Sequence, residues 1–321
     1  MGGVDLKVNM RQKPPLPYPA RGNTPDPRRP LPFSRGSDKN TSLSERKKNN
    51  GVDEIFKELN DLIGLEKIKS LIGEIYAFVE IQKKRQKEDL ASENTVLHMI
   101  FKGNPGTGKT TVARIIGKLF KEMGVLQKGH VLEIERADLV GEYIGHTAQK
   151  TRDQMKKAHG GVLFVDEAYS LARGGEKDFG KEAIDCLCKG MEDGRESLVL
   201  ILAGYTEEMN WFMETNPGLR SRFPIHLSFP DYATDQLLDI ADKMLKERQY
   251  VIAPPAREEL RLIIEKKSRN HQYNGNARLV RNIIERSMRR QAVRLIDKTE
   301  ITRHDLMTIT REDMIKAWED L

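Results

Sequence analysis

Cysteine is scarce in this chain: two residues among 321, Cys186 and Cys188. They stand two apart on a predicted helix and so point to different faces. A Cys-x-Cys metal site has no further cysteine to complete it, and packing is the expected role. The expected setting is reducing, without disulfides. Long apolar runs are missing as well. None approaches the roughly 18 residues needed to cross a bilayer, and the N-terminus carries no apolar stretch of signal-peptide type. Both absences point to a cytoplasmic protein with no membrane span. With 38% hydrophobic and 32% charged residues the chain reads as globular but very polar, long enough for about two domains.

An excess of positive charge is missing from most of the sequence, despite a net charge of +6. Residues 1–50 hold 11 basic and 4 acidic residues, while the remainder holds 43 basic and 44 acidic. The basic character belongs to the N-terminal segment and does not describe a nucleic-acid surface on a folded body, so nucleic acid is an unlikely partner class. The same segment contains 8 of the 14 prolines and few residues that could fill a core. It reads as a disordered tail with polyproline character, residues 1–50. An inert solvated extension is the plain reading; a docking peptide or a contact with anionic surfaces are its rivals.

From Val52 the pattern changes. Asp53 can cap a helix through Ile55, Phe56 and Leu59. A turn at Leu62-Ile63-Gly64-Leu65 leads to a second helix through Ile68, Ile72, Ile75 and Val79, with a charged, exposed exit from Lys83 to Glu93. Strands are expected at 96–101, 131–134, 161–165, 198–202 and 225–229, alternating with helices. Alternation of this kind predicts an α/β domain, a parallel sheet covered by helices, over residues 51–231. After Pro230-Asp231-Tyr232 the strand patterns stop. Helical patterns at 237–247, 255–267, 277–295 and 312–318 predict a smaller all-helical domain over residues 232–321.

Two motifs carry chemistry. Gly103-Asn104-Pro105-Gly106-Thr107-Gly108-Lys109-Thr110 fits the phosphate-binding loop G-x-x-x-x-G-K-[ST], between a predicted strand and a helix that starts with Thr111. Closely spaced glycines let backbone N–H groups curl around an anion. Lys109 supplies a point charge for the β- and γ-phosphates, and the Thr110 hydroxyl can hold Mg²⁺. The second motif, Val162-Leu163-Phe164-Val165-Asp166-Glu167, is an apolar run ending in two carboxylates. On a buried parallel strand these reach the end where ligands sit. Asp166 can then orient Mg²⁺, and Glu167 can polarise an attacking water.

These motifs, with Asp138-Leu139-Val140-Gly141-Glu142-Tyr143-Ile144-Gly145 and Gly218-Leu219-Arg220-Ser221-Arg222-Phe223, resemble the AAA+ ATPases over about residues 53–321. Within that family the chain is similar to the subgroup of red-type Rubisco activase and stage V sporulation protein K, and more to the latter over 172–183. The resemblance implies a P-loop sheet domain with a helical lid, ATP and Mg²⁺ as ligands, and a homohexameric ring acting on a protein client, in spore formation for the nearer relative. It implies that Ile63 and Gly64 pack on adenine and that Arg222, with Arg220 as the alternative, is an arginine finger for the neighbouring subunit. Arg278 in Gly275-Asn276-Ala277-Arg278 becomes the second sensor, and Tyr143-Ile144-Gly145 becomes the pore loop. The polar first sensor has no clear match; Thr206 stands nearest. A Rubisco-activase role and a nucleic-acid motor remain the alternatives.

Overall fold

The computed structural model describes residues 43–92, 96–143, 145–174, 178–194, 197–269 and 275–319. The tail reading of residues 1–42 and the pore-loop residue Ile144 lie outside them. The chain starts with α1 (Leu43–Asn60) and α2 (Glu66–Lys87), then β1 (Met99–Gly103), α3 (Lys109–Glu122), β2 (Val131–Ile134), α4 (Arg136–Leu139) and α5 (His146–Ala158). It continues through β3 (Val162–Val165), a 3-10 turn (Ala168–Ala172), α6 (Gly180–Asp193), β4 (Val199–Gly204), α7 (Thr206–Thr215), α8 (Pro217–Arg220) and β5 (Ile225–Phe229). Five strands form one parallel sheet in the order β2-β3-β4-β1-β5.

The inner strands β3, β4 and β1 are buried on both faces, as parallel strands under helices are, while the edge strands β2 and β5 are partly exposed. Alternation along β1 divides its side chains between two cores. Met99 and Phe101 join α1, α2 and α3 on one side, and Ile100 joins α5, α6 and α7 on the other. Phe101 is fully buried, its ring 5.0 Å from Phe229 and 6.3 Å from Phe164. These contacts fix β1 inside the sheet, between β4 and the edge strand β5.

Several expected boundaries moved. α1 starts at Leu43, so the tail boundary expected at residue 50 falls inside a helix and Asp53 lies within it rather than capping it. Residues 44–50 are polar and show no apolar period. A helix already nucleated by packing at Val52, Ile55 and Leu59 extends through such residues at little cost. α2 runs on to Lys87 through Lys, Gln and Arg, which are good helix formers, so the charged exit is exposed from Lys84 as expected but begins as helix. β1 lies two to three residues nearer the glycine loop than its apolar run suggested.

After residue 232 come α9 (Thr234–Glu247), β6 (Val251–Ile252), α10 (Pro254–Arg269), α11 (Asn276–Ile296), α12 (Arg303–Met307), β7 (Thr308–Ile309) and α13 (Arg311–Glu319). They enclose a third core, with Leu238, Leu260, Val280 and Ile283 at its centre. The domain expected to be all-helical thus also carries one parallel pair, β6 with β7, of two residues each. Strands that short leave no periodicity to read. The short α12 is announced by its capping box, Thr302 with Asp305, which the helical pattern alone passes over. Among the described residues no helix is long and apolar enough to cross a membrane.

A buried ion pair ties α11 to α13. Arg294 donates from Nε and Nη2 to the two oxygens of Asp313, 2.9 Å each, and Thr310 adds its N–H and hydroxyl at 2.9 and 2.8 Å. Burial alone would raise the Asp313 carboxyl, but these hydrogen bonds outweigh it and hold the group below the ordinary carboxylate range. Its stabilising contribution is therefore complete above about pH 4, the unfolded value, and is lost as pH falls through the depressed native value. Asp313→Asn is expected to cost about 1–3 kcal/mol at pH 7, with the gap to the parent closing in acid. Urea unfolding across pH measures this; a gap independent of pH would assign the loss to packing instead.

Candidate functional site

β1 ends at Gly103 and α3 begins at Lys109, so residues 104–108 form the loop between them. The loop leaves the carboxyl end of β1, and the carboxyl ends of the strands are where open α/β sheets bind ligands. Gly106 (φ 74°) and Gly108 (φ 96°) take left-handed conformations that a side chain resists. A Cβ on Gly106 would also stand 2.3 Å from the Gly275 carbonyl. Lys109 donates from Nζ to the Gly103 and Asn104 carbonyls, 2.8 Å each. An ammonium has three donors, so the loop engages two of them. Burial pushes the Lys109 ammonium below the usual lysine range, while Asp166, Asp231 and Glu167 oppose that shift.

β3 delivers the two carboxylates. Its four residues are fully buried, and Asp166 and Glu167 emerge exposed at its end. The Glu167 N–H donates to Asp166 Oδ1 at 3.0 Å. Glu167 itself is left-handed (φ 46°), a conformation uncommon outside glycine. The buried Ala168 and Tyr169 anchor the turn that follows it. Asp166 and Glu167 share a cleft of about 240 Å³ with Gly103, Gly106, Lys109 and Thr110. Arg278 and Arg281 of α11 line the same cleft from the lid. Pro105, Gly108 and Thr111 line it too, whereas Asn104 and Thr107 do not. The Asn104 amide instead donates to Asp231, and the Thr107 hydroxyl to the Asn104 carbonyl at 2.8 Å.

A second hollow, about 740 Å³, continues from the cleft through Gly106, Gly108, Thr111 and Arg281, which line both. Its apolar wall is Leu62, Ile63, Leu65, Ile240 and Met244. Gly64 is left-handed and backs onto Gln236 and Tyr232 rather than lining the hollow. Lys243 bridges the wall by donating to the Asp61 carbonyl at 2.8 Å. Charged residues, among them Lys57, Asp61, Arg248 and Glu285, line the rest of the hollow, so the continuous space pairs the charged cleft with an apolar patch set among charges. Among the described residues no group of three or more His, Cys, Asp or Glu could hold a metal by itself. The cleft still offers the Thr110 hydroxyl and the Asp166 carboxylate, hard oxygen donors of the kind Mg²⁺ uses alongside substrate phosphates.

Other predicted residues lie outside the cleft. Arg222 sits in the turn before β5, where Glu192 of α6 accepts from its Nε at 3.1 Å and also from Nη2, and the Gly218 carbonyl accepts from Nη1 at 2.7 Å. Arg220, exposed at the end of α8, lines a separate surface pocket with Lys102 and His226. Burial lowers both of those groups, and the Arg220 charge adds to the effect. Tyr143 is 65% exposed, its ring 5.4 Å from His146, on the turn between Gly141 and Gly145 (φ 83°). Sequence reasoning missed Tyr205 and Arg281, both in the cleft wall. Thr206, expected near the first sensor, is exposed at the start of α7 and does not line the cleft. β4 runs to Gly204, two residues past its expected end, so Tyr205 is the side chain that leaves the strand there. Arg281 was readable, three residues after Arg278 and so on the same helix face.

The sequence has relatives along most of its length. Residues 99–231 match the model of the ATPase family associated with various cellular activities (AAA), and residues 233–321 match the AAA lid domain. Stage V sporulation protein K of Bacillus subtilis (strain 168) is 55% identical over 276 residues, covering 85% of this chain and 86% of its own. A chloroplastic ribulose bisphosphate carboxylase/oxygenase activase of Cyanidioschyzon merolae is 44% identical over 285 residues, 88% of this chain and 97% of its own. Among solved structures, a point mutant of Thermotoga maritima RuvB superposes with a TM-score of 0.53 at 21% identity, covering 82% of this chain and 72% of that one. That likeness shows the shared fold.

Proposed function

The chain belongs to the AAA family of ATPases, and from that membership we propose that it works as a homohexameric ring that remodels a protein client through ATP hydrolysis. The observation that carries the remodelling step is Tyr143. A large aromatic side chain stands 65% exposed on a glycine-flanked turn, outside the nucleotide cleft. Exposed rings of this kind can grip an extended polypeptide, and Gly145, with open space around it, gives one end of the turn freedom to move while Gly141 is held by the Thr147 hydroxyl.

The chemistry follows from the cleft. The adenine base lies in the apolar hollow against Ile63, and the phosphates lie over residues 103–110. Lys109 and Arg278 hold negative charge on the phosphates. Glu167, which lines the cleft, takes the proton of the attacking water. Thr110 and Asp166 would hold Mg²⁺, which when bound neutralises charge developing on the transferred phosphoryl group. Arg222 does not line the cleft of its own chain, which supports its use by a neighbouring subunit. An arginine supplied in this way is worth about 10³–10⁵ in rate.

The identity with the sporulation protein supports a role in endospore formation in the cytoplasm, with a client still to be identified. The 44% identity with a Rubisco activase favours a second reading, activation of Rubisco, which a Rubisco reactivation assay with the purified protein separates from the first. A nucleic-acid motor finds no support in a body holding 43 basic and 44 acidic residues.

Lys109→Ala is expected to abolish nucleotide binding, and Glu167→Gln to retain binding while turnover falls by at least about a hundredfold. Equilibrium titration and a phosphate-release assay read the two effects; normal turnover in Glu167→Gln would remove Glu167 from the role of base. For the finger, mixing Arg222→Ala with Lys109→Ala subunits should recover part of the lost hydrolysis, because some interfaces then join an intact site to an intact arginine. No recovery in verified mixed rings would count against action across the interface. Tyr143→Ala should hydrolyse ATP at a rate within about twofold of the parent while losing an aromatic contact of roughly 1 kcal/mol per subunit. A sporulating strain carrying it is expected to behave as a null; wild-type sporulation with the protein present would sink the threading reading.

A further inference from the structure

Two carbonyls of the glycine loop are held by the lid. Asn276 donates from Nδ2 to the Pro105 carbonyl at 3.3 Å, and the Ala277 N–H donates to the Gly106 carbonyl at 3.2 Å. Asn276 is only 1% exposed and sits in the left-handed region (φ 46°), which asparagine tolerates better than most residues. Its amide has further partners. Oδ1 accepts from the Tyr232 N–H at 3.0 Å, and Nδ2 also donates to Asp231 Oδ1 at 2.8 Å. Asp231 in turn accepts from Asn104 Nδ2 at 3.0 Å to each oxygen. One buried amide thus joins the start of the lid, the strand-to-lid connection and the loop.

The consequence lies in the peptide planes. In a trans peptide the C=O and N–H point in opposite directions. The carbonyls of Pro105 and Gly106 share their peptide units with the N–H groups of Gly106 and Thr107. Fixing the two carbonyls against the lid therefore fixes the direction of those two N–H groups, which belong to the set a phosphate loop offers its anion. We propose that Asn276 is a positioning residue of the phosphate site, holding the loop amides in their binding orientation from the side of the lid. An anion drawn to those N–H groups polarises their peptides and strengthens the same carbonyls as acceptors for the lid. By reciprocity, a docked lid raises affinity for the diphosphate. The inference rests on reading residues 103–110 as the phosphate site.

The test compares ADP with AMP in equilibrium titrations of the full chain. Lys109→Ala checks the underlying reading; ADP binding that ignores it would overturn that reading and the inference together. Asn276→Gly keeps the left-handed backbone and removes only the amide. It is expected to weaken ADP about tenfold and AMP by less than about twofold, since AMP lacks the phosphates those N–H groups serve. Equal losses for ADP and AMP, or no loss of ADP, would overturn the assignment. The double variant Asn276→Asp with Asp231→Asn separates positioning from structure. It restores a donor–acceptor pair between the two side chains but presents no donor to Pro105. Thermal stability should return toward the parent while ADP affinity stays low; recovery of both would show that the amide merely holds the lid in place.

Discussion

The site depends on one constraint, the confinement of β1 between β4 and β5. A strand whose residues are buried on both faces cannot shift by one position without moving Phe101 out of the core that holds Phe164 and Phe229. That register fixes where the strand ends, and so where Gly103 releases the chain into the loop. β3 is set against β4 in the same sheet, which puts Asp166 and Glu167 at the same edge as the loop. The geometry of the cleft is thus a by-product of sheet register. The lysine, the threonine and both carboxylates are carried on elements that cannot slide independently.

The lid enters this arrangement at close range. Gly106 has no room for a Cβ, because Gly275 and Arg278 stand against it. Tyr232 reaches the loop as well, donating its hydroxyl to the Thr107 carbonyl at 3.3 Å, and burial keeps that phenol above its ordinary range. Three consecutive loop carbonyls are thus engaged, that of Gly106 by the Ala277 N–H and those of Pro105 and Thr107 by the Asn276 and Tyr232 side chains, a tighter relation than a cover closing over a pocket. The hollow beside the cleft is built the same way, its apolar patch drawn from Ile63 in the turn before α2 and from Ile240 and Met244 of the lid.

How much of this was legible in the sequence follows from what periodicity can carry. The five sheet strands, the glycine loop and the carboxylate pair were readable because each is a contiguous run with a strong local signature. The lid was recognised as helical, but β6 and β7 are two residues long and depend on partners 57 positions apart, which no local pattern records. The start of α1 was misplaced because polar residues extend a packed helix without any apolar signal. Tyr205 escaped because one extra turn of pleat in β4 decides which side chain emerges, and strand ends are set by sheet pairing. Asn276 was read only as a neighbour of Arg278, since nothing in Gly-Asn-Ala-Arg says that the asparagine will be buried against another domain's loop.

α11 gives the lid a mechanical character of its own. It begins at Asn276, beside the loop, and runs 21 residues to Ile296, which is 77% exposed at the far end. A helix of that length spans about 30 Å, and the clasp of Arg294 on Asp313 braces its distal third against α13. Were the lid to pivot beside the glycine loop, such a rod would act as a lever. A tilt of about 10° at the loop end would carry Ile296 through about 5 Å, so a small rotation of the lid beside the glycine loop would arrive at its outer surface as a displacement the size of a side chain.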